Sequence, residues 1–425
     1  MSFLNSIRLG GFLSFPPDSE PIGLTPLNVL IGPNGSGKSN LIEAIELLHA
    51  TPTGFASALR DGGGVQEWLW KGDKPNGPAT MEAVIQSTPS VPELRYRMSF
   101  APSGPRTEVV DEFIEEAMKR EAREPDVYFY YRFQRGQPVI NAKLASTTTT
   151  PPPRTSNVIG PSSPSSSSNT ISPPFQSTVQ RGYRQLKRES LIPDESVLSQ
   201  LNDPELYPEV TWLGNQFDRI QTFREWSFGR GVSLRQAQPA DLPADMLLPD
   251  NGNLALLLHE IAHSAAGAEF NKLMARFLPR YQRFSTSVHG GRVQFYLWES
   301  GMRSPVPAAR LSDGTLRFMA ILALLLSPTP PPLICIEEPE LGLHPDAVSL
   351  LADLLVSASG RSQLIVTTHS DSLVSALTDH ANSVLVCEHH NGTKLQRVDS
   401  EKLAHWLGKY RLGEIWRIGE LGGNP

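Results

Sequence analysis

The chain has little that would place it in a membrane or tie it together covalently. Its 425 residues include only two cysteines, Cys335 and Cys387, which excludes a disulfide-rich scaffold and is typical of a reducing compartment. The longest apolar run, Phe318 to Leu326, is about half of what a bilayer-spanning helix needs. The N-terminus lacks the basic and long apolar regions of a signal peptide. These absences predict a cytoplasmic protein without membrane contact.

An excess of basic charge is also absent. The formal net charge is -6, so the chain as a whole has no general attraction to nucleic acid, and any such contact needs a local basic patch. One segment offers such a patch, with the basic residues Arg181, Arg184, Lys187 and Arg188. A solvated helix face and a contact with a nucleic-acid backbone both remain open for it.

What the sequence does contain is two segments in which strand and helix patterns alternate, residues 1–148 and residues 286–425. In the first segment, Val110–Ala122 has a helical pattern. In the second, Leu333–Ile336 and Leu364–Val366 are continuously apolar, as in strands of a parallel sheet that is covered on both faces. The fold class that these patterns predict is α/β.

Two further segments separate these parts. Residues 149–179 are rich in Ser, Thr and Pro, a composition that cannot form a packed core, and we expect a linker there. Residues 180–285 are mostly helical in pattern, with one long apolar-periodic stretch from Asn253 to Leu278. The sequence therefore predicts two lobes of one α/β core, separated by a linker and a helical insertion.

A glycine-rich loop lies between an apolar strand and an amphipathic helix and matches the pattern G-x-x-x-x-G-K-[ST]. Its glycines allow successive N–H groups to point at phosphate oxygens, and the dipole of the following helix adds to the attraction. We expect Lys38 to reach the β- and γ-phosphates of ATP and Ser39 to bind Mg²⁺ as a cofactor. The predicted nucleotide-binding residues are Gly32, Pro33, Asn34, Gly35, Ser36, Gly37, Lys38, Ser39 and Asn40.

Two adjacent carboxylates end a second apolar strand, in the sequence LICIEEPELGLHP. A P-loop protein needs an acid at the end of a neighbouring strand to hold Mg²⁺, and a group that orients or deprotonates the attacking water. The pair predicts Glu337 as the metal-side acid and Glu338 as the catalytic base. A pair of solvated glutamates at a strand end is the alternative.

Two more segments carry candidate site residues. In LSDGTLR, Ser312 and Gly314 stand at the start of a helix, which suits either a second anion contact or an ordinary helix cap. In LIVTTHS, His369 follows an apolar strand directly, where it is either structural or close to the γ-phosphate and the attacking water.

A zinc-protease pattern, H-E-x-x-H, occurs at His259 and His263. The metzincin extension would need Gly and His where the chain has Ala266 and Glu269, and the downstream sequence offers no clear third ligand. We therefore expect no zinc site there, and a zinc hydrolase is the third-ranked hypothesis.

In chain order, GPNGSGKS, LSDGTLR, LICIEEPELGLHP and LIVTTHS resemble the motifs of ABC-type ATPases of the SMC and RecF kind. Within that class the chain is similar to the prokaryotic predicted ATPases called AAA15 or AAA21, a group that overlaps OLD-family and phage-defence ATPases. The resemblance implies an ATPase head in which nucleotide lies between two head domains, Gly32–Ser39 and Glu338 of one facing Ser312 and Gly314 of the other. One P-loop per chain then implies a homodimer or a larger homo-oligomer. His369 matches the switch histidine of the family.

The chain departs from the ABC pattern at several positions. Glu337 stands where most ABC ATPases have Asp, and His344 stands where the transporter-like members have Asp. Gln66 and Gln86 are both candidates for the Q-loop glutamine. The absence of long heptad runs argues against a long-armed SMC protein, and the short segment after the core leaves no space for a nuclease domain of the OLD type.

The resemblance implies an ATP-hydrolysing motor or sensor subunit of a phage-defence or DNA-maintenance complex, with a separately encoded effector protein as partner. The leading alternative is a nucleotide-gated assembly scaffold with negligible turnover.

Overall fold

A computed structural model describes residues 2–73, 77–86, 92–120, 126–134, 136–143 and 181–422. The predicted linker at 149–179 lies outside these ranges. The strands are β1 (Leu4–Gly10), β2 (Ile22–Gly23), β3 (Leu27–Ile31), β4 (Ala79–Ile85), β5 (Leu94–Ser103), β6 (Arg106–Glu116), β7 (Phe129–Gln134), β8 (Gln137–Lys143), β9 (Arg181–Gln185), β10 (Gln221–Phe223), β11 (Gln238–Pro239), β12 (Tyr281–His289), β13 (Arg292–Glu299), β14 (Val306–Pro307), β15 (Leu333–Glu337), β16 (Gln363–Thr367), β17 (Val384–His389) and β18 (Thr393–Arg397). The helices are α1 (Lys38–Ala50), α2 (Phe55–Asp61), α3 (Val65–Trp68), α4 (Val197–Gln200), α5 (Pro208–Asp218), α6 (Leu254–Ala262), α7 (Ala266–Phe277), α8 (Asp313–Leu325), α9 (Pro345–Ala358), α10 (Asp371–Ala376), α11 (Ala404–Leu407) and α12 (Leu412–Arg417).

A six-stranded sheet in the order β10-β15-β16-β3-β17-β18 forms the centre of the molecule. Its neighbouring strands are parallel except for β17 and β18. Successive side chains alternate between two cores, since Ile334 and Ile336 pack into one hydrophobic cluster while Leu333 and Cys335 pack into the other. A sheet covered on both faces is what the continuously apolar strands predict, and the α/β fold class is confirmed.

An antiparallel sheet of eight described strands, in the order β2-β1-β4-β5-β6-β7-β8-β9, packs with α1, α2 and α5 around one of these cores. The helix expected over Val110–Ala122 is wrong, because residues up to Glu116 form strand β6, paired with β5 and β7. Its glutamates favour a helix locally, but pairing on both sides overrides that preference. Glu112 is buried and faces the core from this strand, so a polar residue interrupts the alternation of apolar and polar residues that is typical of a strand.

A smaller antiparallel sheet of β11, β13, β12 and β14 lies with α6 to α9 on the other core. The range 180–285 contains helices, as expected, but it also contributes strands to all three sheets, among them β9 and β10. Its longest predicted helix is broken between Ala262 and Ala266, where the Ser264 hydroxyl donates to Ile261 O and accepts from Ala266 N. The domain boundaries at residues 148, 179 and 285 stay a prediction.

The parallel strands bring their carboxyl ends to one edge of the central sheet. The register places Phe223 beside Ile336, Glu337 beside Thr367, and Thr367 beside Leu30. Consequently the segments that follow β10, β15, β16 and β3 meet at this edge, which is where ligands bind in open α/β sheets.

Candidate functional site

The glycine-rich loop after β3 has a backbone that only glycine can adopt. Gly32 and Gly37 have φ angles of 143° and 102°. A Cβ at Gly32 would lie 2.2 Å from the carbonyl oxygen of Cys387, and one at Gly37 would lie 2.0 Å from Thr393 Oγ1. The loop is therefore held tightly against β17 and β18, and Gly37 leads directly into the N-terminus of α1.

Hydrogen bonds fix the underside of this loop. The Thr393 hydroxyl donates to Ser36 O at 2.8 Å, and Cys387 Sγ donates to the same oxygen at 3.2 Å. Asn40 Nδ2 donates to Ser14 Oγ at 2.7 Å. The residues at the tip of the loop, Pro33 to Gly35, are exposed. The loop is thus supported from below and open above.

Lys38 is the first residue of α1, and its side chain is buried, with 7% exposed. Its ammonium donates to Gly32 O at 2.7 Å and to Pro33 O at 2.9 Å. Burial lowers the pKa of Lys38, while the nearby acidic groups, with Cys387 first and then Glu338 and Glu337, oppose that shift. The structure therefore brings the P-loop lysine and both predicted acids together.

Glu337 and Glu338 are adjacent in sequence but have different environments. Glu337 ends β15 and its side chain is 18% exposed, whereas that of Glu338 is 42% exposed. Glu338 has a φ of 46°, a left-handed conformation that is costly for a residue with a Cβ. Its N–H donates to Thr367 O at 3.1 Å and its carbonyl accepts from Arg317 Nη1 at 3.2 Å. The two adjacent carboxylates thus differ in their exposure to solvent, and a backbone turn begins at the second of them.

Glu337 faces α1 and the end of β10. Arg224 Nε lies 3.5 Å from Glu337 Oε1, and this buried oxygen accepts no hydrogen bond within the described part of the chain. Burial raises the pKa of Glu337, while Arg224 and the Ser39 hydroxyl oppose that shift. A carboxylate whose Oε1 accepts no hydrogen bond in the described structure, next to a serine hydroxyl, provides the hard oxygen ligands that Mg²⁺ prefers, so the residues present fit that ion.

Glu338 instead approaches the end of β16. Its Oε1 lies 3.9 Å from His369 Nε2. Burial, helped by Lys38, lowers the pKa of His369, and Glu338 opposes that shift, so the ring is neutral near pH 7. A half-exposed carboxylate beside a neutral imidazole can accept a proton from a water and orient it.

Ser312 is the N-cap of α8, and its hydroxyl accepts from Thr315 N at 3.1 Å. Gly314 packs closely on the turn that follows the acid pair, since a Cβ on it would lie 3.0 Å from Gly342 O. Ser312 itself is exposed. The helix-cap geometry expected for this segment is present, with the serine facing solvent.

Sequence reasoning missed two residues at this edge. Arg224, directly after β10, contacts Glu337, and Glu340 accepts a hydrogen bond from Thr368, which precedes His369. Burial raises the pKa of Glu340, and the bond from Thr368 opposes the shift. A charged residue at the end of a strand was the available signal for Arg224, but a strand of three residues is too short to recognise by pattern.

Other candidates lie in different surroundings. Gln66 is exposed on α3, and Gln86 lies just after β4, with its Oε1 3.5 Å from Asn5 Nδ2. His344 is the N-cap of α9, and its Nδ1 accepts from Asp346 N at 3.3 Å. None of these contacts involves the P-loop or the acid pair.

The two histidines of the zinc pattern are not on one helix, because α6 ends at Ala262. His259 Nδ1 lies 2.8 Å from Thr286 Oγ1, and His263 Nδ1 lies 2.7 Å from His259 O. Within the ranges that the structure covers, no three His, Cys, Asp or Glu residues are grouped so that they could hold a metal ion. The Nδ1 atom of each imidazole thus lies within hydrogen-bonding distance of an oxygen atom of the protein itself.

In the basic segment, Arg181–Gln185 form strand β9, so the alternative of a helix face does not apply to these residues. Arg184 lies on β9 at the edge of the eight-stranded sheet, and Arg188 follows it and pairs with Glu108 at 2.6 Å. Arg184 and Lys187 are exposed. Among the helices described, none is both long and apolar enough to cross a membrane.

Comparison with known proteins agrees with these observations. The family model described as "AAA domain, putative AbiEii toxin, Type IV TA system" matches residues 27–230 and 182–375, which together exceed half of the chain. The Old nuclease of Escherichia phage P2 is 44% identical over 72 residues, which are 17% of this chain and 12% of that protein. The chromosome partition protein Smc of Rhodopirellula baltica is 37% identical over 86 residues, 19% of this chain and 7% of that protein. The chain therefore matches only a small part of either relative.

Solved structures resemble almost the whole chain. The Smc head bound to the C-winged helix domain of ScpA has a TM-score of 0.55 at 14% identity and covers 94% of this chain and 99% of its own. The Smc head of Pyrococcus furiosus with an extended coiled coil, bound to the C-terminal domain of ScpA, has a TM-score of 0.54 at 13% identity and covers 96% and 99%. At these identities the likeness shows the fold. The family match establishes that the chain belongs to the AAA_21 family, and the likeness to the Smc heads shows that it has their fold.

Proposed function

We propose that this chain binds ATP with Mg²⁺ and hydrolyses it, with Glu338 as the catalytic base. The observation that carries the proposal is the meeting of Lys38, Glu337, Glu338 and His369 at one edge of the central sheet. These residues come from three separate segments of the chain, and their charges influence one another. Ionisable groups with shifted pKa values, gathered around a P-loop lysine, are typical of a functional site.

In this proposal the backbone N–H groups of Gly32 to Ser39 and the Lys38 ammonium bind the phosphates of ATP. Ser39 and Glu337 would hold Mg²⁺, which neutralises charge on the β- and γ-phosphates. Lys38 exchanges its bonds to Gly32 O and Pro33 O for phosphate oxygens. A cation already aimed along the loop needs only a small movement to do so.

Glu338 takes a proton from the attacking water as the water oxygen bonds to the γ-phosphorus and the bond to the β,γ-bridging oxygen breaks. The products are ADP and inorganic phosphate. His369, 3.9 Å from the Glu338 carboxylate, orients the same water through its neutral ring. Glu337 lies beside Arg224 and Glu338 beside His369, so that one acid serves the metal and the other the water.

We infer that the nucleotide is sandwiched between two copies of the chain. Ser312 and Gly314 begin a helix of 13 residues whose N-terminus is suited to a phosphate, and Ser312 is exposed. The sequence holds one P-loop, so a composite site needs a homodimer or a larger homo-oligomer. The Smc heads of similar fold were solved with ScpA bound, which supports a separately encoded effector protein as a further partner here.

We also infer the biological setting in which the protein acts. The names of the two relatives, a phage nuclease and a chromosome partition protein, support a role in phage defence or DNA maintenance, in which contact with nucleic acid is a secondary expectation. Cys335 and Cys387 are buried free thiols, which fits the reducing cytoplasm. We also propose that ATP hydrolysis depends on magnesium and that the protein acts in antiviral defence.

An ATPase assay with the wild type and Lys38→Ala tests the proposal. We expect Mg²⁺-dependent release of phosphate from ATP by the wild type, and no nucleotide binding by the variant, since the buried ammonium has no substitute. Unchanged binding by Lys38→Ala would contradict the whole assignment. A wild type that binds ATP and assembles but releases no phosphate would instead support the scaffold alternative.

A further inference from the structure

Arg224 occupies the carboxyl end of β10, the edge strand next to the strand that carries the acid pair. The parallel register places Phe223 beside Ile336, so the next residue on each strand, Arg224 and Glu337, are neighbours. The side chain of Arg224 is 32% exposed, so much of this cation is removed from water. A partly buried guanidinium needs partners for its donors.

Three carboxylates supply those partners. Arg224 Nη2 lies 2.9 Å from Glu43 Oε1, Nη1 lies 3.1 Å from Glu46 Oε2, and Nε lies 3.5 Å from Glu337 Oε1. The first two acids belong to α1 and the third to β15. One planar group with donors in fixed directions therefore spans the gap between the helix and the strand.

The helix partners lie on the same face as the serine of the P-loop. Ser39, Glu43 and Glu46 are spaced i, i+4 and i+7, so their side chains line one side of α1. Glu337 faces that side from β15, with the Ser39 hydroxyl near enough to influence its pKa. The guanidinium thus touches one of the two groups that would hold Mg²⁺ and anchors the helix that carries the other.

We propose that Arg224 is a positioning residue, which holds Glu337 and the Ser39 end of α1 at the separation that a divalent cation requires. The inference rests on the proposed function, because it takes Ser39 and Glu337 as the metal ligands. Arg224 acts through these ligands and through the two glutamates of α1, rather than by contact with nucleotide. Groups that orient metal ligands typically change metal affinity or activity about 10–100-fold when removed.

A plain structural brace between β10 and α1 is the competing explanation, and the chain offers a matched control for it. Thr222, on the same strand, donates to Glu46 Oε1 at 2.9 Å. Thr222→Val removes a bond between β10 and α1 but leaves the guanidinium against Glu337. Arg224→Gln removes the cation, and Arg224→Lys keeps the charge without the three-way fork.

The test measures binding of a fluorescent ATP analogue, first with chelator and then with increasing Mg²⁺, for the wild type and the three variants. We expect Arg224→Gln to raise the Mg²⁺ concentration for half-maximal tightening of binding at least about tenfold. Arg224→Lys should fall between it and the wild type, and Thr222→Val should stay within about twofold of the wild type. Binding in chelator should change less than about twofold in all variants, because Lys38 and the loop backbone are untouched.

An unchanged or lower Mg²⁺ requirement in Arg224→Gln would overturn the inference. So would an equal shift in Thr222→Val, or a loss of binding in chelator by Arg224→Gln together with a lower melting temperature, since both are the behaviour of a brace. A wild type that binds nucleotide without hydrolysing it contradicts only the proposed hydrolysis, because this readout is binding. A wild type that binds no nucleotide contradicts both proposals.

Discussion

Two glutamates in different regions of this molecule, Glu112 and Glu337, differ in how their oxygens are hydrogen-bonded. In the eight-stranded sheet, the Glu112 carboxylate accepts from Tyr96 Oη at 2.8 Å, Ser196 Oγ at 2.6 Å and Val197 N at 2.9 Å. At the edge of the central sheet, Glu337 Oε1 is equally hidden yet accepts no hydrogen bond in the described structure. The first carboxylate is satisfied by its own fold and the second is left with an open lone pair.

We propose that the difference separates a structural acid from a functional one. Glu112 joins β6 to the start of α4, two segments far apart in sequence, and its donors all come from the chain itself. Glu337 is stabilised by a cation, Arg224, and lies beside the P-loop serine, but its Oε1 accepts no hydrogen bond in the described structure. An incompletely hydrogen-bonded buried carboxylate costs stability, which favours a role for Glu337 in holding a ligand.

The largest effect is expected at the acid that faces water. Glu338→Gln keeps the size of the side chain but cannot accept a proton, so kcat for ATP should fall about a thousandfold, near 4 kcal/mol. Affinity for ATP should change little, because the phosphates are bound by the loop. Steady-state turnover and nucleotide binding measure the two quantities, with the exposed Glu401→Gln as the matched control. A kcat within tenfold of the wild type would exclude Glu338 as the base.

The structural acid should instead control stability and its pH dependence. Burial raises the pKa of Glu112 to about 7, although its hydrogen bonds oppose the shift. The native state then binds more protons than the unfolded state between about pH 4.5 and 7, so the contribution of Glu112 is complete below that window and is lost as the pH rises through it. The loss amounts to about 3 kcal/mol at the top of the window.

Glu112→Gln cannot ionise and should abolish this loss. We expect its free energy of unfolding, relative to the wild type, to improve by about 3 kcal/mol between pH 5 and pH 8, measured by urea denaturation at both values. Thr80→Val, on β4 of the same sheet, removes no ionisable group and should give a difference that hardly changes with pH. The same small change in Glu112→Gln would show that the carboxylate ionises in the fold without penalty.

A smaller effect is expected at the histidine beside Glu338. His369→Ala should lower kcat about 10–100-fold, since the base remains but its water is less well oriented. KM for ATP should stay within threefold, because the side-chain partner of His369 is Glu338, outside the loop that binds the phosphates. A raised KM with normal kcat would instead assign the histidine to ground-state phosphate binding.

The smallest effect concerns the zinc pattern. Both histidine rings are occupied by ordinary neighbours, so His263→Ala should leave the metal content and the ATPase rate unchanged. Elemental analysis of the purified protein and of this variant is the measurement. Stoichiometric zinc that disappears in the variant would contradict the structural assignment of the pair.

The central sheet and the edge site were predictable because their signals are local. Three signals can each be recognised within about ten residues: the P-loop motif, the apolar run into Glu337 and Glu338, and the strand before His369. Parallel strands then have to place those ends at one edge. The family resemblance drawn from the same motifs is confirmed by the family match.

The remaining features depend on tertiary pairing. The sequence of strand β6 favours a helix because glutamates break its alternation, and the burial of Glu112 depends on donors from β5 and from the start of α4. Arg224 follows a strand of three residues, whose place beside β15 no pattern reveals. At the break between α6 and α7, the Ser264 hydroxyl donates to the backbone, and a periodic pattern of apolar residues does not predict such a bond.

We propose that Glu337, which faces α1, and Glu338, which approaches His369, have different roles. Nucleotide binding titrated with Mg²⁺ tests it most directly, with Glu337→Gln and Glu338→Gln compared in one assay. The account predicts that Glu337→Gln loses the Mg²⁺-dependent tightening of ATP binding, while Glu338→Gln retains it and fails only in turnover. Equal loss in both variants, or loss only in Glu338→Gln, would contradict the account.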